Sequence, residues 1–245
     1  MSDVVWHDLE CGQYREDLPL WHELAGQYLP QGQALLDVGA GTGRVTLALA
    51  RAGHHVVALD SDPALLSELR SRAAGLSVET VCADARAFDL SGRLFSLIIV
   101  PMQTLQLLGG RGGHETFLAR ARAHLVPAGI VAVAIADSDD FEEFEWDDGA
   151  ERAPLPDITE IAGRVYFSQP TAVRRVGHTF VLQRRRDIVE PDGERTSTEN
   201  TIALDLVTAE AVALAGRAAG LRLHGTRRVD PTDEHIGSEV VLLSA

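Results

Sequence analysis

Glycine alternates with small residues at one point of the chain, where residues 35–43 read LLDVGAGTG. Because glycine has no Cβ atom, Gly39, Gly41 and Gly43 allow the backbone to turn sharply and to approach a ligand closely. Helix formers follow from Arg44 onwards, and the first turn of a helix presents backbone N–H groups that have no partner within the helix. The spacing predicts a binding site for an elongated polar ligand.

Three acidic residues stand near this turn, each at the end of a segment that reads as a strand. Asp37 directly precedes the turn, Asp60 ends the β-branched run 55–59, and Asp84 follows the run 77–82. A single aspartate in such a place is often a helix cap or a turn former. Three carboxylates in register with one glycine turn instead indicate a shared site, since carboxylates accept paired hydrogen bonds and attract cations.

The glycine spacing separates two classes of nucleotide-binding protein. Dinucleotide-dependent oxidoreductases use G-x-G-x-x-G, in which the third glycine permits close packing of strand and helix. Here the spacing is G-x-G-x-G, and an acidic residue precedes it. Residues 33–136 therefore resemble the class I S-adenosylmethionine-dependent methyltransferases, whose first motif is an acidic residue followed by G-x-G-x-G. The resemblance implies S-adenosyl-L-methionine as the cofactor and methyl transfer as the reaction.

The resemblance also implies a role for each residue that matches the family's pattern. Asp60, with Ser61 beside it, would bind the ribose hydroxyls. Asp84 and its neighbour would bind adenine, and Asp37 would lie near the methionine amino group. The full set of predicted cofactor-binding residues is Asp37, Gly39, Ala40, Gly41, Thr42, Gly43, Asp60, Ser61, Asp84, Ala85, Tyr14 and Met102. For the last two, a packing role is an equal alternative.

No catalytic residue follows from the sequence. In-line approach of a nucleophile to an already activated methyl group needs positioning and desolvation more than an acid or a base. His114 could deprotonate an acceptor hydroxyl, although a histidine at the start of a helix is more often solvent-facing or a cap. No metal site is predicted, and the two cysteines, Cys11 and Cys82, are interpreted as reduced thiols.

The expected acceptor is a small molecule. Family members that methylate nucleic-acid bases or protein glutamine carry an N/D-P-P-Y-type motif after the fourth strand, whereas here Pro101 is followed by Met102 and Gln103. Two alternatives stay open. A non-catalytic S-adenosylmethionine-binding protein would keep every cofactor residue, and a nicotinamide-dependent oxidoreductase, which is less favoured, would give no reason for Asp84.

Alternating strands and helices must position these residues. Apolar runs alternate with helical stretches as far as residue 136, which is typical of a parallel sheet covered on both faces. Residues 164–206 instead alternate with period two around a turn at 191–193, which indicates antiparallel strands. We expect an α/β fold: a Rossmann-like, doubly wound, mostly parallel seven-stranded sheet with an inserted antiparallel β-layer and an N-terminal helical lid.

This organisation divides the chain into a lid, a cofactor-binding core and an inserted cover for the acceptor. Their predicted bounds are 1–33 for the lid, 34–137 with 207–245 for the core, and 138–206 for the cover. Tyr166, Phe167 and Phe180 could line the acceptor pocket, although core packing is favoured for each. The cover could also contact a second copy of the chain, so both a monomer and a homodimer are compatible with the sequence.

Charge and hydropathy exclude other partners. The chain has 36 acidic and 22 basic residues and a formal charge of −14, which repels a polyanion, so no nucleic-acid partner is expected. The basic run 184–186 lies in a strand pattern, in which adjacent side chains point to opposite faces. No apolar run approaches the roughly 20 residues that span a bilayer. The first ten residues lack the features of a signal peptide, so a cytoplasmic location is expected.

Overall fold

The computed structural model describes residues 2–136, 155–232 and 235–245. The acidic stretch 139–148, for which we predict a loop or a short helix, lies outside the described residues. The N-terminal helices are α1 (Ser2–Cys11) and α2 (Leu18–Tyr28). The elements that follow are β1 (Ala34–Val38), α3 (Arg44–Arg51), β2 (His55–Asp60), α4 (Pro63–Arg72), β3 (Val78–Cys82), β4 (Phe95–Val100), α5 (Gly110–Ala123) and β5 (Leu125–Ile135).

A four-stranded antiparallel sheet comes next and then the chain returns to the core. Its strands are β6 (Asp157–Ile161), β7 (Arg164–Val176), β8 (Thr179–Val189) and β9 (Arg195–Asp205), in that spatial order. The last elements are α6 (Ala209–Ala218), β10 (Arg222–Val229) and β11 (Ser238–Ser244). None of the described helices combines the length and the apolar character that crossing a bilayer requires.

The central sheet has seven strands in the order β3-β2-β1-β4-β5-β11-β10. The pairs from β3 to β5 are parallel, and β11 is antiparallel to both of its neighbours. Strand order reverses between β1 and β4, which is where doubly wound folds bind ligands at the carboxyl ends of the strands. The predicted fold class is confirmed, including the inserted antiparallel layer.

Two apolar layers sandwich the central sheet. One side packs against α5 and α6, and the other packs against α2 and α3. Trp21 and Leu24 of α2 are fully buried in the second layer. The N-terminal segment, predicted as one helical lid over residues 1–33, is therefore two helices with different surroundings, because α2 forms part of the core and α1 does not.

Two element boundaries differ from the sequence prediction. Helix α5 begins at Gly110, whereas the pattern suggests a start near His114. Within this first turn, position 113 has room only for glycine, since a Cβ there would lie 1.8 Å from the carbonyl oxygen of Leu108. Strand β5 begins at Leu125 rather than Gly129, since an irregular register opposite β4 carries the pairing further towards the N-terminus.

The antiparallel sheet presents one face to the rest of the molecule. Phe180 of β8 packs against Ala136 at the end of β5, and Tyr166 of β7 packs against Trp6 of α1 with ring centroids 5.4 Å apart. Both aromatics therefore pack against other structural elements, which agrees with the packing role favoured for them from the sequence. We call the side of the sheet that carries Tyr166 and Phe180 its inner face.

Candidate functional site

The glycine turn and Asp60 lie in direct contact. The backbone N–H of Gly41 donates to Oδ2 of Asp60 at 2.7 Å, and the N–H of Asp62 donates to Oδ1 at 2.9 Å. The N–H groups of Gly39 and Ala40 donate to the carbonyl of Leu59 at 2.8 and 3.0 Å. The end of β2 thus fixes the turn, and the carboxylate of Asp60 lies at its surface, half-buried.

The first and third glycines are required by packing as well as by backbone conformation. Gly39 has φ +76°, and a Cβ there would lie 2.4 Å from Oγ1 of Thr104. Gly43 has φ +95°, and its Cβ would lie 2.2 Å from Cδ1 of Leu69 on α4. The alternation therefore brings the turn against the loop after β4 on one side and against α4 on the other.

Helix α1 lies directly over the second glycine. A Cβ on Gly41 would lie 2.4 Å from Nε2 of His7, and Nδ1 of the same ring is 3.3 Å from Oγ1 of Thr42. The hydroxyl of Thr42 donates to Oδ1 of Asp8 at 2.6 Å. Arg72 of α4 binds Asp8 through both terminal nitrogens, with Nη1 3.0 Å from Oδ1. Burial lowers the pKa of His7 despite the carboxylates around it, so this ring is neutral at neutral pH.

Replacing Asp8 with alanine should loosen α1. The variant loses the Thr42 hydrogen bond and a third-exposed ion pair with Arg72, together worth about 1 kcal/mol. Amide hydrogen exchange of residues 2–11 should therefore rise by about fivefold. Asp3→Ala, at an exposed position in the first turn of the same helix, is the control and should raise exchange by about twofold at most, since it removes only the interaction of one carboxylate with the helix dipole. Equal exchange in both variants would show that Asp8 does not hold α1 against the glycine turn.

Asp37 is a buried carboxylate with one unsatisfied oxygen. Its side chain is 1% exposed, and Oδ2 accepts a hydrogen bond of 2.6 Å from Oγ1 of Thr46. Oδ1 has no hydrogen-bond partner among the described residues. Burial raises the pKa of Asp37 to about 6, which Thr46 and the nearby Arg44 oppose. A buried acceptor without a partner suits a cationic amino group, so the residues at this end of β1 fit the methionine part of S-adenosylmethionine.

Tyr14 lies beside the same region, in the loop between α1 and α2. Its ring is buried between the guanidinium of Arg44, 5.2 Å away, and the ring of His235, 4.9 Å away. The hydroxyl is near Ser238 but makes no hydrogen bond of good geometry with the described residues. Burial, with the carboxylate of Asp17, raises the pKa of Tyr14 to about 12. The phenol is therefore protonated at neutral pH and can donate a hydrogen bond.

Arg44 fixes the loop that carries Tyr14. The guanidinium is largely buried and binds both carboxylate oxygens of Asp17, with Nη2 2.7 Å from Oδ2. It also donates to the carbonyl of Tyr14 at 3.1 Å. Asp17 in turn accepts from the indole N–H of Trp21 at 2.8 Å. The first residue of α3 thus holds the start of α2 against the glycine turn.

The residues predicted to bind adenine lie at the same edge of the sheet. The N–H of Ala83 donates to the carbonyl of Asp60 at 2.9 Å, which ties the two strand ends together. Asp84 is half-exposed and paired with Arg86, whose Nη2 is 2.7 Å from Oδ2. Arg86 lowers the pKa of Asp84 to about 2. The side chain of Ala85 is buried, so this segment is fixed in place, and the adenine role of Asp84 stays a prediction.

The remaining predicted residues have different settings. Met102 follows β4 with φ +54°, an uncommon conformation for a residue with a side chain. Ser61 is exposed beside Asp60. His114 is buried rather than solvent-facing, and its Nε2 lies 3.1 Å from Oδ2 of Asp205. The same carboxylate oxygen accepts from the N–H of Gly110 at 2.5 Å, so His114 helps to join the end of β9 to α5.

Sequence reasoning missed three residues that the structure places around the glycine turn. His7 and Asp8 come from α1, and Arg44 follows the turn directly. The amphipathic pattern of the N-terminal segment shows that one side is buried but does not show which surface covers it. Asp8 and Arg72 are 64 residues apart, so no local signal could have paired them.

Part of the chain matches a known protein family. Residues 35–129 match the family described as a methyltransferase domain. The release factor glutamine methyltransferase of Mycolicibacterium smegmatis is 44% identical over 66 residues, which cover 26% of this chain and 24% of that protein. This chain therefore aligns with about a quarter of that relative.

Two longer similarities include the antiparallel sheet. The dTDP-3-amino-3,6-dideoxy-alpha-D-glucopyranose N,N-dimethyltransferase of Streptomyces fradiae is 26% identical over 221 residues, covering 90% of this chain and 82% of that protein. The solved structure of an amino pentose methyltransferase from Micromonospora echinaspora superposes with a TM-score of 0.72 at 23% identity. That superposition covers 98% of this chain and 96% of the other, and it concerns the fold.

Proposed function

We propose that this chain, which belongs to the S-adenosylmethionine-dependent methyltransferases, methylates an amino group of a small molecule of the amino-sugar class. The observation that carries the proposal is the extent of the similarity to a sugar N,N-dimethyltransferase. The alignment covers 90% of this chain and so extends beyond the cofactor-binding core. The antiparallel sheet is the part expected to cover the acceptor.

The cofactor would lie across the glycine turn, with Asp60 at the ribose and Asp37 at the amino group of the methionine. When bound, S-adenosylmethionine supplies a methyl group that its sulfonium already activates. The protein's contribution is then to bind, to orient and to exclude water. Helix α1 serves the last purpose, because His7 and Asp8 close over Gly41 and Thr42.

Tyr14 acts in this proposal as a hydrogen-bond donor and not as a base. With a pKa of about 12, its hydroxyl keeps its proton at the pH at which an amine acceptor is reactive. A free amine attacks through its own lone pair and releases its proton to water after transfer, so no residue has to ionise first. This favours an amine over an alcohol acceptor, since an alcohol needs a base to remove its proton.

Parallel titrations and a turnover assay test the proposal. S-adenosylmethionine and S-adenosylhomocysteine should bind in calorimetry, and NADH should not. The protein should then add one or two methyl groups to dTDP-3-amino-3,6-dideoxyglucose, detected by mass spectrometry as gains of about 14 or 28 mass units. Binding of NADH alone would contradict the proposal and indicate that the glycine turn belongs to a nicotinamide-dependent oxidoreductase. Cofactor binding without methylation of any amino sugar would favour the non-catalytic alternative or another acceptor class.

A further inference from the structure

Four buried polar side-chain atoms among the described residues have no hydrogen-bond partner. They are Tyr14 Oη, Asp37 Oδ1, Arg184 Nε and Asn200 Oδ1. Leaving such a group unpaired costs free energy, so each requires an explanation. The first two lie at the end of the site expected to hold the methionine. The second two lie together on the antiparallel sheet.

Arg184 and Asn200 are cross-strand neighbours on the inner face of that sheet. They are directly paired in the register of β8 and β9, so their side chains leave the sheet on the same side about 5 Å apart. Phe180 and Ile188 share this face of β8, and each is four residues from Arg184. Phe180 packs on the end of β5, and Ile188 packs on α1. The pair therefore lies midway between the two places where the sheet rests on the molecule.

The pair is also connected to the glycine turn through α1. The hydroxyl of Ser168 accepts from Arg184 and donates to Oε1 of Glu10, in the last turn of α1, at 2.7 Å. His7 lies one turn before Glu10 on the same helix and directly over Gly41. Hydrogen bonds and one helix therefore join Arg184 on the inner face to the glycine turn.

The charge of Arg184 is already balanced. Its Nη1 lies 3.0 Å from Oδ2 of Asp157 and 3.2 Å from Oγ of Ser168. Arg186, on the same face, pairs with Glu10 and lies over the ring of Trp6 at 5.4 Å. Among the described residues of this face, the two guanidinium groups thus pair with two carboxylates and offer no excess positive charge to a phosphate or a carboxylate. The buried atoms of the pair that have no partner there are one donor, Nε–H of Arg184, and one acceptor, Oδ1 of Asn200.

We propose that Arg184 and Asn200 bind a hydroxyl group of the methyl acceptor. The hydroxyl oxygen accepts from Nε–H of Arg184, and its hydrogen is donated to Oδ1 of Asn200. A hydroxyl is suited to this place because it both donates and accepts. The inference rests on the proposed function, since it takes the acceptor to lie beneath the sheet, and it narrows the acceptor to a molecule with a hydroxyl near the reacting amine.

The test measures binding to protein saturated with S-adenosylhomocysteine, so that no methyl transfer occurs. The probes are dTDP-3-amino-3,6-dideoxyglucose and its analogues that lack the 2- or the 4-hydroxyl. The unmodified protein should bind the parent at least about tenfold more tightly than one of the analogues, because a site built for a hydroxyl rejects a ligand without it. Arg184→Lys and Asn200→Ala should each bring that ratio close to one by weakening only the binding of the parent.

Matched controls lie on the other face of the same strands. Arg185→Lys and Thr201→Ala replace neighbouring residues that point away from the inner face, and both should keep the full ratio. Thermal unfolding and S-adenosylhomocysteine affinity establish that each variant is folded. A ratio near one in the unmodified protein, a ratio unchanged in both inner-face variants, or no binding of any probe would overturn the proposal.

The two proposals fail in different ways. A probe that binds with the expected hydroxyl preference and is not methylated in the presence of S-adenosylmethionine would refute the proposed amine transfer and leave the hydroxyl-binding pair standing. A probe that is methylated and shows no preference for either hydroxyl would support the proposed amine transfer and refute the hydroxyl-binding pair.

Discussion

Replacing Asp60 with alanine is expected to weaken S-adenosylmethionine binding by about 1–3 kcal/mol, the scale of lost hydrogen bonds to a charged group. The carboxylate would bind the ribose hydroxyls, and it also accepts the N–H of Gly41 at 2.7 Å. The variant therefore loses a ligand contact together with a restraint on the turn. Calorimetric titration of the folded variant with S-adenosylmethionine measures the effect.

Asp62 provides a matched control two residues away. Its carboxylate accepts from the N–H groups of Ala64 and Leu65 at 2.7 and 3.2 Å and so caps α4. Asp62→Ala should lower the free energy of unfolding by about 1 kcal/mol and leave the cofactor affinity as it was, since the backbone N–H that Asp60 accepts is retained. A folded Asp60→Ala protein with unchanged affinity would remove Asp60 from the site.

The sequence predicts best those elements whose pattern is set by their own residues. The apolar runs 34–38 and 95–100 predict two strands, and β1 (Ala34–Val38) and β4 (Phe95–Val100) have these bounds, because glycine follows the first run and proline follows the second. The predicted turn at 191–193 joins β8 to β9, and the N–H of Gly193 donates to the carbonyl of Glu190 at 2.9 Å. Period-two alternation and a glycine turn were sufficient there.

The candidate site was predictable where it follows from topology. Asp37, Asp60 and the residues after β3 meet at one edge because the carboxyl ends of adjacent parallel strands must do so. The side-chain partners were not predictable. Arg86 donates a hydrogen bond to Asp84 from two residues away, and Thr46 of the next helix donates to one oxygen of Asp37. Side-chain rotamers, and not sequence spacing, decide such pairs.

The arginines at 184–186 in β8 also show which features the sequence predicts and which it does not. The prediction that adjacent side chains point to opposite faces is confirmed by the contacts of Arg184 with Asp157 and of Arg185 with Asp187. The pattern alone gave no reason to prefer one face. The Nε–H of Arg184 is buried and has no partner among the described residues, because the sheet packs against α1 and β5. Only the folded chain reveals this packing.

Replacing Asp37 with asparagine is expected to make the stability of the protein without cofactor less dependent on pH and to weaken its binding of S-adenosylmethionine. Burial raises the pKa of Asp37 to about 6, against roughly 4 for an unfolded chain. The folded state therefore favours the protonated carboxyl. Its stabilising contribution is complete below about pH 4 and is lost as the pH rises through 6, at a cost on the order of 3 kcal/mol for a shift of about two units.

Asparagine stays neutral throughout this range, so the variant escapes that loss. It keeps an oxygen for Thr46 but buries an unpaired amide N–H, a cost of about 1–3 kcal/mol that does not change with pH. The informative quantity is therefore the difference between two pH values. The free energy of unfolding, measured with denaturant at pH 5 and pH 8, should fall less in Asp37→Asn than in the unmodified protein. Asp230→Asn, at a residue that is 91% exposed, should behave like the unmodified protein.

Cofactor affinity should show the opposite trend, because the charge that destabilises the empty site is the one that attracts the methionine amino group. Affinity for S-adenosylmethionine should increase in the unmodified protein as the pH rises through 6 and Asp37 ionises, and it should stay level in Asp37→Asn. A variant that binds with the same affinity and the same pH profile as the unmodified protein would show that Asp37 only supports Thr46 and α3. A variant that binds weakly and loses less stability than the unmodified protein between pH 5 and pH 8 would instead show that the buried charge is retained for binding at the expense of stability.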